Sequence, residues 1–164
     1  MKRVFLYIVL LAFSLNGSAK MLSHVFDVST NIDISLFNYD HLVITGRNGH
    51  LPIESGILII SVGGVFTSSI MFLEAHLSSD GVIDVDKYDG ETYWTLNKKE
   101  IFIDSEIKNI PFDVTIDGQE FNVNDKYKDS DSSVELTVKN KNTIDVNAEQ
   151  KIKVQLTLFL EPVI

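Results

Sequence analysis

The chain has 164 residues, 45% of them hydrophobic, with a formal net charge of −9 and no cysteine. That length suits a single compact core, and the negative charge argues against nucleic acid or an anionic membrane as partner, because both require positive charge to release counterions. Without cysteine there are no disulfides, no thiol catalysis and no Cys-ligated zinc or Fe–S centre, so the core or an associated partner must supply the stability.

Residues 1–19 have the three zones of a secretory signal. Lys2 and Arg3 precede a mostly apolar run from Val4 to Leu15, and Asn16-Gly17-Ser18-Ala19 supplies small residues at the cleavage positions. A run of that length rises only about 18 Å as a helix, short of the roughly 30 Å hydrocarbon core, so the expectation is a cleaved signal rather than an anchor. Lys20 then becomes the first mature residue. Lys2 and Arg3 leave with the signal, which contains no acid, and the net charge moves from −9 to −11.

From Val25 to Phe37 the chain alternates. Phe26, Val28, Thr30, Ile32, Ile34 and Leu36 fall on one face, and Asp27, Ser29, Asn31, Asp33 and Ser35 on the other. This pattern predicts a β-strand buried on one side. Asn38-Tyr39-Asp40 breaks it, and His41 to Thr45 forms a short β-prone run closed by Gly46-Arg47-Asn48-Gly49, where Asn-Gly favours positive φ. Ile57 to Val62 is almost continuously apolar and reads as a fully buried strand ended by Gly63-Gly64. Val65 to Leu77 admits a strand or a short helix, and the strand is favoured because Met71, Leu73, Ala75 and Leu77 alternate.

Asp80-Gly81, Asp89-Gly90 and Asp117-Gly118 punctuate further short strands at Val82–Asp86, Thr92–Leu96, Ile101–Asp104, Ile107–Ile110, Phe112–Ile116 and Glu120–Val123. Asn124 to Ser133 reads as a polar surface loop, followed by a strand at Val134–Val138. The last element, Ile152 to Leu160, sets Ile152, Val154, Leu156, Leu158 and Leu160 on one side, with Lys153, Gln155 and Thr157 opposite. Short strands, frequent Asp-Gly turns and little helical periodicity predict an all-β fold, an antiparallel β-sandwich.

No catalytic constellation stands out, and the chain reads as non-enzymatic. His24, His41, His50 and His76 lack the paired spacing of a metal motif. Asp80, Asp84, Asp86, Asp89 and Glu91 have the oxygen chemistry of a calcium site but not the loop spacing, and Val82 and Val85 interrupt them as core candidates. No metal or cofactor is expected. Trp94, with Tyr93 beside it, fits either a sugar-stacking surface or, more often in a sandwich, a buried core tryptophan.

The signal with the strand Phe26–Leu36, the segment Ser105-Glu106-Ile107-Lys108-Asn109-Ile110-Pro111-Phe112-Asp113-Val114-Thr115-Ile116-Asp117-Gly118-Gln119, and the terminal strand Ile152–Leu160 carry a resemblance. The chain resembles the major subunits of chaperone–usher fimbriae, most nearly the cysteine-free alpha-clade type typified by colonization factor antigen I, with the common-pilus subunit type next. The pattern is organisational, and the tail Glu161-Pro162-Val163-Ile164 has no counterpart in it. The resemblance implies an incomplete immunoglobulin-like sandwich spanning 38–164 that is completed by donor-strand exchange. The extension 20–37 would donate Phe26, Val28, Thr30, Ile32, Ile34 and Leu36 to a neighbouring pilin. Ile152, Val154, Leu156, Leu158 and Leu160 would line the acceptor groove, which a periplasmic chaperone holds until an outer-membrane usher passes the subunit to the cell surface. Adhesion to host cells, through a host receptor, is the implied role. The alternative is a secreted β-sandwich carbohydrate-binding module or minor tip adhesin using Tyr93, Trp94 and neighbouring acids.

Overall fold

The computed structural model describes residues 22–25, 30–31, 42–51, 53–61, 63–145 and 150–164, with backbone pairing alone at 22–25 and 30–31. In chain order the strands are β1 (Leu22–Val25), β2 (Thr30–Asn31), β3 (Leu42–Thr45), β4 (Ile57–Ile60), β5 (Phe66–Ser68), β6 (Met71–Ser79) and β7 (Val82–Lys87). They continue with β8 (Thr92–Ile103), β9 (Glu106–Lys108), β10 (Phe112–Ile116), β11 (Gln119–Glu120), β12 (Lys126–Asp129), β13 (Ser133–Asn140) and β14 (Ile152–Pro162). The fold is all-β. One sheet runs β1-β4-β5-β13-β10-β11, with β6 joining β13 to β3 and β7, and the other runs β12-β8-β14-β2, with β9 on β8. Pairing is antiparallel except between β2 and β14. One core lies between the sheets, built from the inward residues of both: Leu58, Phe66, Leu73, Val114, Leu136 and Val138 meet Trp94, Leu96, Ile101, Val154, Leu156 and Leu158.

Turn chemistry closes the hairpins. Asp80-Gly81 (φ 50°, 80°), Asp104-Ser105 (φ 52°, 70°) and Asp117-Gly118 (φ 48°, 75°) each join two strands through two residues at positive φ, the backbone that matches strand twist. Asp89-Gly90 instead lies where the chain passes from β7 in one sheet to β8 in the other. Met71 to Ser79 is strand throughout, as the alternation of Met71, Leu73 and Ala75 indicated.

Several sequence readings need correction. Ile57 to Ile60 is half-buried, not enclosed: Leu58 and Ile60 face the core, while Ile57 and Ile59 are 45% and 44% exposed. Its neighbours β1 and β5 lie edge to edge with it and cover neither face. The polar stretch from Asn124 contains an edge strand, β12, paired with β8 from Lys126↔Thr95 to Asp129↔Thr92. Lys126 and Lys128 face solvent there, which is why the composition resembles a loop. Val82 and Val85 are 69% and 88% exposed and contribute nothing to the core. Finally, the run Thr92–Leu96 and all but the last residue of Ile101–Asp104 belong to one strand. A bulge in register opposite Thr157/Leu158 places Asn97 as an extra residue, so the inward positions change from Trp94 and Leu96 to Ile101 and Ile103.

Gly63-Gly64 has a definite role. Gly64 has φ 72°, and a Cβ there would collide with the Ile144 backbone oxygen, whereas one on Gly63 meets nothing within 4 Å. The Gly64 carbonyl accepts from Ile144 N–H (3.1 Å) and from Nδ2 of the fully buried Asn140 (3.0 Å), whose Oδ1 accepts from Phe66 N–H (2.6 Å). Gly64→Ala is therefore expected to lower stability by about 1–3 kcal/mol through overpacking, with Gly63→Ala within about 0.5 kcal/mol of wild type. Urea unfolding of the two variants checks the contrast.

Candidate functional site

Strand β14 is paired along all eleven of its residues and carries all the residues expected to line a groove. Ile152, Val154, Leu156, Leu158 and Leu160 are each no more than 4% exposed, and Lys153, Gln155 and Thr157 face outward, half-buried. One edge of β14 is hydrogen-bonded to β8 from Ile152↔Ile103 to Pro162↔Thr92. Its other edge receives β2, in parallel, at Leu156↔Thr30 and Thr157↔Asn31. Ile152 to Gln155 have no strand on that side among the described residues.

Of the residues expected to be donated, Phe26, Val28, Ile32, Ile34 and Leu36 lie outside the described residues. Thr30 is paired with β14 of its own chain. Val25, at the head of the predicted alternating stretch, ends β1 and pairs with Ile57 in the other sheet. The segment thus contributes to both sheets, Val25 to one and Thr30 to the other.

A second feature is an open cleft of about 560 Å³, lined by Arg47, Phe72, Glu74, Asp117, Tyr127, Lys128, Asp129, Asp131 and Glu135 among others. Most of its polar groups are engaged in holding the walls. The Arg47 guanidinium stacks on Phe72 at 3.8 Å. Asp117 Oδ1 accepts from Glu135 N–H (2.7 Å), and the Asp129 carboxylate accepts from Asp131 N–H (3.1 Å) and Ser133 N–H (2.9 Å). Burial, followed by a hydrogen bond to Asp117 and the nearby Asp117 and Asp129 charges, pushes the Tyr127 hydroxyl up to about 12, so it stays a neutral donor.

Beside the cleft, His76 is fully buried. Its Nδ1 lies 2.9 Å from the Asp84 carbonyl oxygen and its Nε2 3.0 Å from Glu74 Oε2, which also accepts from Asn48 N–H at 2.7 Å. This cluster ties the turn at Arg47–Gly49 to the β6–β7 hairpin. The pattern of residues concealed it, because a register shift between His76 and Ser78 buries His76 and turns Leu77 outward against the alternation. Burial pushes the Glu74 carboxyl up, but the hydrogen bonds from His76, Asn48 and Gly49 and the His76 charge outweigh that and hold it below its ordinary 4.5.

Trp94 is fully buried and donates Nε1–H to Thr92 Oγ1 at 3.0 Å, so its face meets no sugar. Tyr93 is half-buried beneath Lys126, 5.6 Å from its ring. Asp80, Asp84 and Asp86 lie along the β6–β7 hairpin, and among the described residues no three metal-ligating side chains come together. His50 is exposed at the end of the Arg47–Gly49 turn. Comparison with known proteins found no family model that matches the chain and no curated protein that matches it.

Because the folded Glu74 carboxyl titrates below 4.5, its contribution is complete above that value and is lost as pH falls through the lower folded value. Urea unfolding across the acid range is expected to show this loss in wild type and a flatter profile in Glu74→Gln. Equal slopes in the two proteins would refute the assignment.

Proposed function

We propose that this chain is a structural subunit of a bacterial surface fimbria, non-enzymatic and assembled by donor-strand exchange. Residues 1–19 act as the export signal, 20–37 as the donor extension and 38–164 as the pilin sandwich. Its partners are other copies of itself or related pilins, a periplasmic chaperone and an outer-membrane usher, and the fimbria supports adhesion to host cells.

The observation that carries this reading is the asymmetry of β14. Five consecutive inward apolar side chains line the strand, one edge is fully laddered, and the other has a described partner at two residues only. Strand order supports it further. An immunoglobulin-like constant domain has strands A-B-E-D in one sheet and C-F-G in the other. Here β4-β5-β13-β10 follows A-B-E-D, with β6 continuing β5, and β8-β14 follows C-F. The position of G in that scheme is the outer edge of β14. A donated strand there gains main-chain hydrogen bonds along the edge and burial of alternate side chains. Five apolar residues at roughly 1.5–3 kcal/mol each contribute about 8–15 kcal/mol before ordering costs.

The second reading, a secreted β-sandwich binding module, draws on the cleft beside Arg47 and Tyr127 rather than on Trp94. Deleting Val25–Phe37 separates the two. The fimbrial reading expects a folded subunit that no longer enters fibres when expressed with its assembly machinery, scored by electron microscopy of the cell surface. Fibres containing the truncated chain would sink it.

A further inference from the structure

We propose that the contact between β2 and β14 is an intramolecular brake on assembly, in which the chain's own segment occupies part of the edge that a neighbour's strand takes in the fibre. The inference rests on the fimbrial reading and adds to it a latent monomeric state.

Three observations carry it. First, Thr30–Asn31 lies on the outer edge of β14, at Leu156 and Thr157, midway along an eleven-residue strand. An incoming strand cannot pair along this edge without displacing it. Second, the contact is slight, two residues in parallel register, and parallel pairing is the less stable kind per residue. A strand pairing along more of β14 therefore outcompetes it. Third, the segment is tethered. Leu22–Val25 pairs antiparallel with Ile57–Ile60 in the opposite sheet, and only residues 26–29 separate that pairing from β2. Packed sheets lie about 10 Å apart, a gap that four extended residues can span. Anchoring on β4 also keeps β2 close to β14, and a short tether of this kind gives an effective concentration in the millimolar range. A dilute subunit thus stays closed on itself, and assembly requires a longer competing strand at high local concentration.

The absence of cysteine makes the test clean. Asn31→Cys with Thr157→Cys, introduced together in the full chain, creates the one possible disulfide, across a pair in register. Thr115→Cys with Thr137→Cys, whose hydroxyls lie 2.6 Å apart on β10 and β13, is the control for closure of a cross-strand bridge. The expected result is that the 31–157 bridge closes in the monomer and that the oxidised protein yields at least tenfold less fibre than the same protein after reduction. The control pair should assemble equally in both states. In wild-type monomer, amides of Leu156 to Leu158 should exchange at least tenfold more slowly than in the chain lacking Val25–Phe37, a readout that needs no engineered cysteine. A bridge that closes without affecting assembly overturns the brake alone, as does failure of the 31–157 pair to close where the control closes. A wild-type chain that forms no fibre overturns the fimbrial reading, and the brake with it.

Discussion

The ladder between β8 and β14 is the constraint on which the rest of the structure depends. It runs from Ile152↔Ile103 to Pro162↔Thr92 and joins the two longest strands of the second sheet. Both strands direct their large apolar side chains to the same core, and both must keep doing so over about 30 Å of strand. The bulge at Asn97 reconciles the two: β14 keeps strict alternation from Ile152 to Leu160, and β8 absorbs the extra residue. A charged or polar substitution at Leu156 or Leu158 would disturb the core and the edge at once, because both positions are fully buried in the middle of this ladder.

The same ladder leaves β14 one-sided. A central strand in a sandwich normally has neighbours on both edges, and an open edge with a hydrophobic inner face invites pairing with another chain. Here the edge has its own segment at Leu156 and Thr157, supplied from the amino-terminal side and in parallel. That arrangement gives physical content to the proposed strand exchange. Strand β14 is laddered along the whole of one edge, and the segment on its other edge holds it by only two residues. The acidic cleft near Arg47 and Tyr127 lies elsewhere, between β6, β12 and β13, so ligand contact there and pairing along β14 do not compete for the same residues.

Elements whose chemistry is local were legible in the sequence. Asp80-Gly81 and Asp117-Gly118 marked two-residue hairpins, and the alternation Ile152–Leu160 marked the strand and its buried face. Legibility failed where tertiary context decides. Ile57 and Ile59 look like core residues, but their sheet face is uncovered. Lys126 to Asp129 look like loop, but the Thr92–Thr95 edge recruits them as a strand. Asp104-Ser105 makes a hairpin turn without a glycine, and Ser105 takes φ 70°. The Glu74–His76 cluster and the β8 bulge depend on register shifts, and a period-two reading cannot register an added residue until both partner strands are known. Of the candidate site, the buried face of β14 was readable residue by residue. The in-chain partner of its outer edge was not, since alternation fixes which face is buried and leaves open which strand lies alongside.

The most direct measurement is complementation in trans. The chain lacking Val25–Phe37 is titrated with a synthetic peptide of that sequence and its thermal unfolding followed. If this segment fills the open edge of β14, the midpoint rises saturably with peptide concentration, as for any ligand of the folded state. A scrambled peptide of the same composition leaves it unchanged. A truncated chain whose midpoint already equals that of the intact protein and does not respond to the peptide would contradict the account.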